Sequence, residues 1–95
     1  LVLGHERCGA VDATIKGGDL PPDIAAIAAR IGSAVDRVRN LPGDLLDNAV
    51  RENAREVALS IGKSPLVSKA VEEGRLSIRA AYYDLDFGEV AEIEK

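Results

Sequence analysis

The sequence predicts an α/β fold: part of a parallel-core β-sheet with flanking helices, incomplete at the N-terminus. Three observations predict it. The apolar run Leu1-Val2-Leu3 ends in Gly4 and reads as a buried strand entered without a preceding turn. The middle of the chain carries apolar residues at helical spacing. From Leu76 onward the period shortens to two, the repeat of a strand. Strand, several helices, strand and a returning strand are too few strands for a whole sheet, which usually holds about four or more.

The elements follow in order. Beyond the loop His5–Gly9, Cys8 to Ile15 suits a short helix closed by Lys16-Gly17-Gly18. Asp19-Leu20-Pro21-Pro22 is a linker, with Pro22 suited to the first turn of the next helix. From Asp23 to Arg39, Ile24, Ile27, Ala28, Ile31, Ala34, Val35 and Val38 recur on one face, until Asn40-Leu41-Pro42-Gly43 breaks the pattern. A second long helix is expected from about Asp44 to Ile61, with Leu45, Leu46, Ala49, Val50, Asn53, Val57 and Ile61 aligned and Gly62 at its end. Ser64-Pro65 opens a shorter helix, Ser64 as N-cap, and Gly74 supplies the left-handed residue that closes it. Leu76, Ile78, Ala80 and Tyr82 then alternate with Ser77, Arg79, Ala81 and Tyr83 as a strand. Asp86-Phe87-Gly88 is a turn, and Val90 to Ile93 returns as an edge strand.

Composition bounds the function. Ninety-five residues suit one small domain, and 46% apolar with 29% charged residues is a globular balance. Tyr82, Tyr83 and Phe87 are the only aromatics, so the core is built from Ala, Val, Leu and Ile and is expected to lean on a partner surface or on sequence outside the chain. Met is absent, which with the abrupt first strand suggests a chain that begins partway through a domain. A net charge of −4 with no basic run argues against nucleic-acid binding. No apolar stretch approaches the ~20 residues of a membrane-spanning helix. The expected location is cytoplasmic, with an exported form left open, because a leader would precede Leu1.

The sole His and the sole Cys lie three residues apart in Gly4-His5-Glu6-Arg7-Cys8-Gly9. His5 directly follows a strand, placing its ring where ligands of open α/β sheets collect. Cys8 begins a helix, where unpaired N–H groups and the helix dipole favour negative charge. Thiolate and neutral imidazole suit zinc, which needs three protein ligands at a catalytic site. The flanking glycines allow a tight turn and close approach to a ligand. A lone Cys is also at home as a small buried hydrophobe, and no second Cys or His is present to complete a site.

The segment Leu1-Val2-Leu3-Gly4-His5-Glu6-Arg7-Cys8-Gly9-Ala10-Val11 resembles the strand–loop–helix of β-class carbonic anhydrases. Asn53 in Val50-Arg51-Glu52-Asn53, then Ser64-Pro65-Leu66-Val67, Gly74-Arg75-Leu76 and Ala81-Tyr82-Tyr83-Asp84-Leu85 resemble that family's C-terminal helices and strand in the same order. The likeness covers most of the chain and is weakest between Lys16 and Gly43. It implies that residues 1–95 are the C-terminal portion of a single domain. It also implies that His5 and Cys8 are two of three zinc ligands, and that Gly9 belongs to the loop facing the substrate pocket. The parent protein would interconvert CO₂ and bicarbonate and form a homodimer or higher oligomer. The family's upstream Cys-x-Asp-x-Arg motif, which carries the first ligand, is not among these residues.

The remaining charged residues read more plainly. Glu6 and Arg7 are expected as solvated loop charges, with an ion pair at the pocket mouth as the alternative. Asp12 is expected to stabilise a helix N-terminus. Tyr82 and Tyr83 fall on opposite strand faces, one in the core and one lining a groove or interface. Arg79 shares the face of Tyr83 and is expected in solvent. The competing function is a non-enzymatic α/β interaction module whose Cys8 is a free thiol. A redox thiol protein is weaker, because no resolving Cys is present.

Overall fold

The computed structural model describes residues 1–94 and follows that order. It contains β1 (Val2–His5), α1 (Gly9–Lys16), α2 (Pro22–Val38), α3 (Leu45–Gly62), α4 (Pro65–Glu72), β2 (Ala80–Asp84) and β3 (Glu89–Ile93). The three strands form one mixed sheet in the order β1-β2-β3. β1 and β2 pair in parallel, Val2 opposite Ala80 and His5 opposite Tyr83, so the whole four-helix segment is the crossover between them. β3 pairs antiparallel with β2 through a turn in which the Gly88 amide donates to the Asp84 carbonyl at 2.8 Å.

The core lies where α1, α2 and α3 meet β2. Val11, Ile31, Val35, Val38, Ala49, Val50 and Tyr82 form it, with Cys8, Leu45, Leu46 and Ile93 packed at its margin. Its thinness follows from composition, since Tyr82 is the only large aromatic it contains. Close approach replaces bulk. A Cβ on Gly4 would lie 3.1 Å from Val50 Cγ1 and 3.3 Å from the Val50 carbonyl, so a glycine in β1 is what lets α3 pack flat on the sheet.

Local chemistry sets most boundaries. The Asp44 side chain caps α3 by accepting from the Asp47 amide at 3.0 Å. Gly74 adopts φ 75° and its amide donates to the Val71 carbonyl, ending α4 as expected. Three expectations change. Ser64 occupies the N-cap of α4, but its side chain makes no capping bond. β2 starts at Ala80 rather than Leu76, leaving residues 76–79 irregular. The anticipated alternation is also lost, because Ala80, Ala81 and Tyr82 are buried in succession. β2 is the central strand, flanked by β1 and β3.

Candidate metal centre

His5 ends β1 and Cys8 is the N-cap of α1, so both stand at the carboxyl edge of the parallel pair. The ring of His5 is exposed and its Nδ1 lies 3.0 Å from the Glu6 carbonyl oxygen. With the proton on Nδ1, that bond orients the ring and leaves Nε2 as the free lone pair, the usual arrangement of a metal-ligating histidine. Cys8 is half-buried, free of disulfide and without a side-chain capping bond. Its carbonyl accepts from the Asp12 amide at 3.0 Å, starting the helix. Imidazole and thiol thus lie on one short loop with their donor atoms uncommitted to other side chains.

The loop turns by an unexpected device. Its left-handed residue is Arg7, at φ 54°, and not one of the flanking glycines. Gly9 is exposed, and a Cβ there would meet nothing within 4 Å, so the space beside it is open.

Glu6 and Arg7 are not merely solvated. The Glu6 amide donates to the Tyr83 carbonyl at 2.9 Å, and Glu6 Oε1 accepts from the Leu85 amide at 2.9 Å. Arg7 reaches both carboxylate oxygens of Asp86, at 3.4 and 3.3 Å, and lies 3.4 Å from Glu6 Oε2. Asp86, and after it Glu6, hold the Arg7 guanidinium above its ordinary pKa. The local Glu6–Arg7 ion pair is therefore realised, and Arg7 has in Asp86 a second partner 79 residues away. Asp86 was legible only as a turn residue, and no local signal paired it with Arg7.

Among the described residues, the carboxylates that come within 4.8 Å of one another as a possible metal cluster are Glu6, Asp84 and Asp86. Their oxygens already serve the protein. Asp84 Oδ1 accepts from the amides of Asp86 and Phe87 at 2.8 and 3.2 Å, while Glu6 and Asp86 engage Leu85 and Arg7. No third metal-capable side chain joins His5 and Cys8 in such a group among the described residues. Asp12 instead pairs with Lys16 at 2.9 Å within α1.

A cavity of about 280 Å³ adjoins the loop, lined by Glu6, Arg7, Asp44, Leu46, Asp47 and Tyr82. Arg51 stacks over the Tyr82 ring, 3.9 Å from its centroid, and donates to Asp47 at 3.0 Å. Burial first, and hydrogen bonding to Asp47 second, push the Tyr82 phenol well above its ordinary pKa. Tyr82 is thus the core tyrosine. Tyr83 is half-buried and lines neither this cavity nor the groove that Leu59, Val71, Ile78 and Ile93 wall at the other end of the sheet. Arg79 is exposed as expected and pairs with Glu92 at 2.7 Å.

A family model described as carbonic anhydrase matches residues 1–90. Among solved structures, the chain is similar to the β-carbonic anhydrase CcaA, with 26% identity and a TM-score of 0.77 over 96% of this chain and 44% of that one. It is also similar in fold to tetrameric β-carbonic anhydrases from the filamentous ascomycete Sordaria macrospora, with 16% identity and a TM-score of 0.78 over 98% of this chain and 50% of that one. The chain therefore spans about half the length of the structures it matches. No curated protein sequence matches it.

Proposed function

The chain belongs to the carbonic anhydrase family, and from that premise we propose that it is the C-terminal portion of a single domain whose parent protein interconverts CO₂ and bicarbonate. The observation that carries the proposal is the placement of His5 and Cys8 on one loop at the carboxyl end of the parallel strand pair, within the matched residues 1–90.

In this reading His5 Nε2 and Cys8 Sγ are two zinc ligands, and a third comes from residues other than those described. The donor set fits the ion, since a neutral imidazole and a thiolate are its favoured partners. A zinc ion held there supplies a Lewis acid that makes hydroxide available near neutral pH. The chain's own residues do the rest of the holding. The Glu6 carbonyl fixes the ring of His5. Cys8 is oriented by the first turn of α1. Gly9, open on its outer side, leaves room for a small substrate. Neither His5 nor Cys8 acts as base while it ligates a metal.

An oligomer belongs to the same proposal. The tetrameric state of the Sordaria macrospora structures supports it, as do the exposed apolar side chains of Leu3, Ile27, Leu66 and Phe87.

Zinc content per chain tests the reading. The expected result is that zinc bound by the parent protein is lost with His5→Ala and with Cys8→Ser, together with CO₂ hydration. If zinc and activity survive both substitutions, His5 and Cys8 are ordinary loop residues. If zinc neither binds nor slows alkylation of Cys8, the non-enzymatic interaction module with a free thiol takes its place.

A further inference from the structure

We propose that Arg7, Glu6 and Asp86 form a clamp that ties the β1–α1 loop to the β2–β3 turn and thereby sets the relative position of His5 and Cys8. The inference deepens the metal-site reading and rests on it for its functional meaning. In it, Glu6, Arg7 and Asp86 are positioning residues and touch neither metal nor substrate.

Arg7 stands between the two donor residues, two positions after His5 and one before Cys8. Its φ of 54° is a conformation that a side-chain-bearing residue holds only when its surroundings favour it. The surroundings are visible. The guanidinium forks onto both oxygens of Asp86, and Glu6 Oε2 lies beside it. Glu6 is stitched to the hairpin by its own amide, through the Tyr83 carbonyl, and by its side chain, through the Leu85 amide. Asp84 in turn accepts from the amides of Asp86 and Phe87, which shapes the turn that presents Asp86. Four of these contacts join residues 6–7 to residues 83–86, so the loop is tied to the hairpin as well as to itself.

Charge makes the clamp asymmetric. Glu6, Asp84 and Asp86 lie within 4.8 Å of one another, and Arg7 is the cation that pairs with two of them. Without Arg7, three carboxylates repel across the loop–hairpin junction. Without Asp86, Arg7 still has Glu6. Loss of Arg7 is therefore the more damaging change, although exposed ion pairs are individually weak.

The test is alkylation of Cys8 by iodoacetamide in the 95-residue chain, with and without titrated Zn²⁺, for the wild type, Arg7→Ala, Asp86→Ala and the charge swap Arg7→Asp/Asp86→Arg. The expected zinc concentration for half-protection rises about three- to fivefold in Arg7→Ala, less in Asp86→Ala, and returns to within about twofold of wild type in the swap. Thermal melting of each variant shows that the fold persists. Should Arg7→Ala melt early, Asp86→Asn, which preserves the hairpin's size and shape, carries the same comparison. Equal zinc protection in all the proteins overturns the clamp. If zinc fails to protect even the wild type, His5 and Cys8 do not hold the ion without a third ligand, and the metal-ligand reading is decided by the zinc content of the parent protein. The clamp is then judged on metal-free amide exchange at Gly9 and Ala10. Faster exchange in Arg7→Ala with recovery in the swap sustains it, and unchanged exchange overturns it.

Discussion

The two halves of α3 carry the same apolar periodicity and meet very different surroundings. In the first half, Ala49 and Val50 are almost wholly buried against β1 and β2, as is Ala54 just beyond it, close enough that Gly4 has no room for a side chain without displacement. Arg51 lies over Tyr82 on the same stretch. In the second half, Val57, Leu59 and Ile61 remain 40–48% exposed. There α3, α4 and the end of the sheet bound an open groove of about 390 Å³ whose apolar wall includes Leu59, Val71, Ile78 and Ile93. Helical spacing chooses a face, but only a neighbouring element can cover it. α2 shows the same split in reverse, with Ile24 and Ile27 exposed in its first turns and Ile31, Ala34, Val35 and Val38 buried in its last.

That contrast can be broken most forcibly at Gly4. Gly4→Val places methyl groups against the Val50 side chain and carbonyl, and is expected to cost about 2–3 kcal/mol in urea unfolding. A loss under about 0.5 kcal/mol would mean that β1 and the first half of α3 are less tightly joined than the geometry states.

Tyr82 offers a gentler probe of the same junction. Its phenol is held above the ordinary value of 10.0 by burial and by Asp47, so the folded state keeps a proton that the unfolded chain releases above that pH. Its contribution to stability is complete below pH 10 and declines as pH rises beyond it. Tyr82→Phe should flatten the fall of the urea midpoint as pH rises above about 10. An unchanged slope would show that other groups dominate.

The smallest effect is expected at the open end. Leu66 opens α4 and is 81% exposed, so Leu66→Ser should shift unfolding by no more than about 0.5 kcal/mol. A larger loss, or a loss that depends on protein concentration, would show that this end is covered by another chain in solution.

Legibility followed the same division. The β1 strand, the helix after Cys8, the Asp44 cap and the Gly74 closure rest on residues within a few positions of one another, and all appear. The placement of His5 and Cys8 was legible because strand end and helix start are local signals. The clamp was not, because Arg7 and Asp86 read as an ordinary loop charge and an ordinary turn residue until parallel pairing brings His5 opposite Tyr83. The start of β2 was misplaced for a related reason. Leu76-Ser77-Ile78-Arg79 alternates like a strand, yet β1 extends no further than Val2 opposite Ala80, and no ladder with it orders the preceding residues.

By itself, the amino-acid sequence determined the kinds of element, their order, and the placement of one imidazole and one thiol on a glycine-bracketed loop. Hydrophobic period, capping and turn chemistry act over a few residues and need no distant partner. Tertiary structure alone decided which half of each long helix is covered, why Gly4 must stay small, and that Glu6 and Arg7 are anchored to the β2–β3 turn. Those outcomes depend on contacts between segments tens of residues apart, which become neighbours only when the parallel strand pair closes.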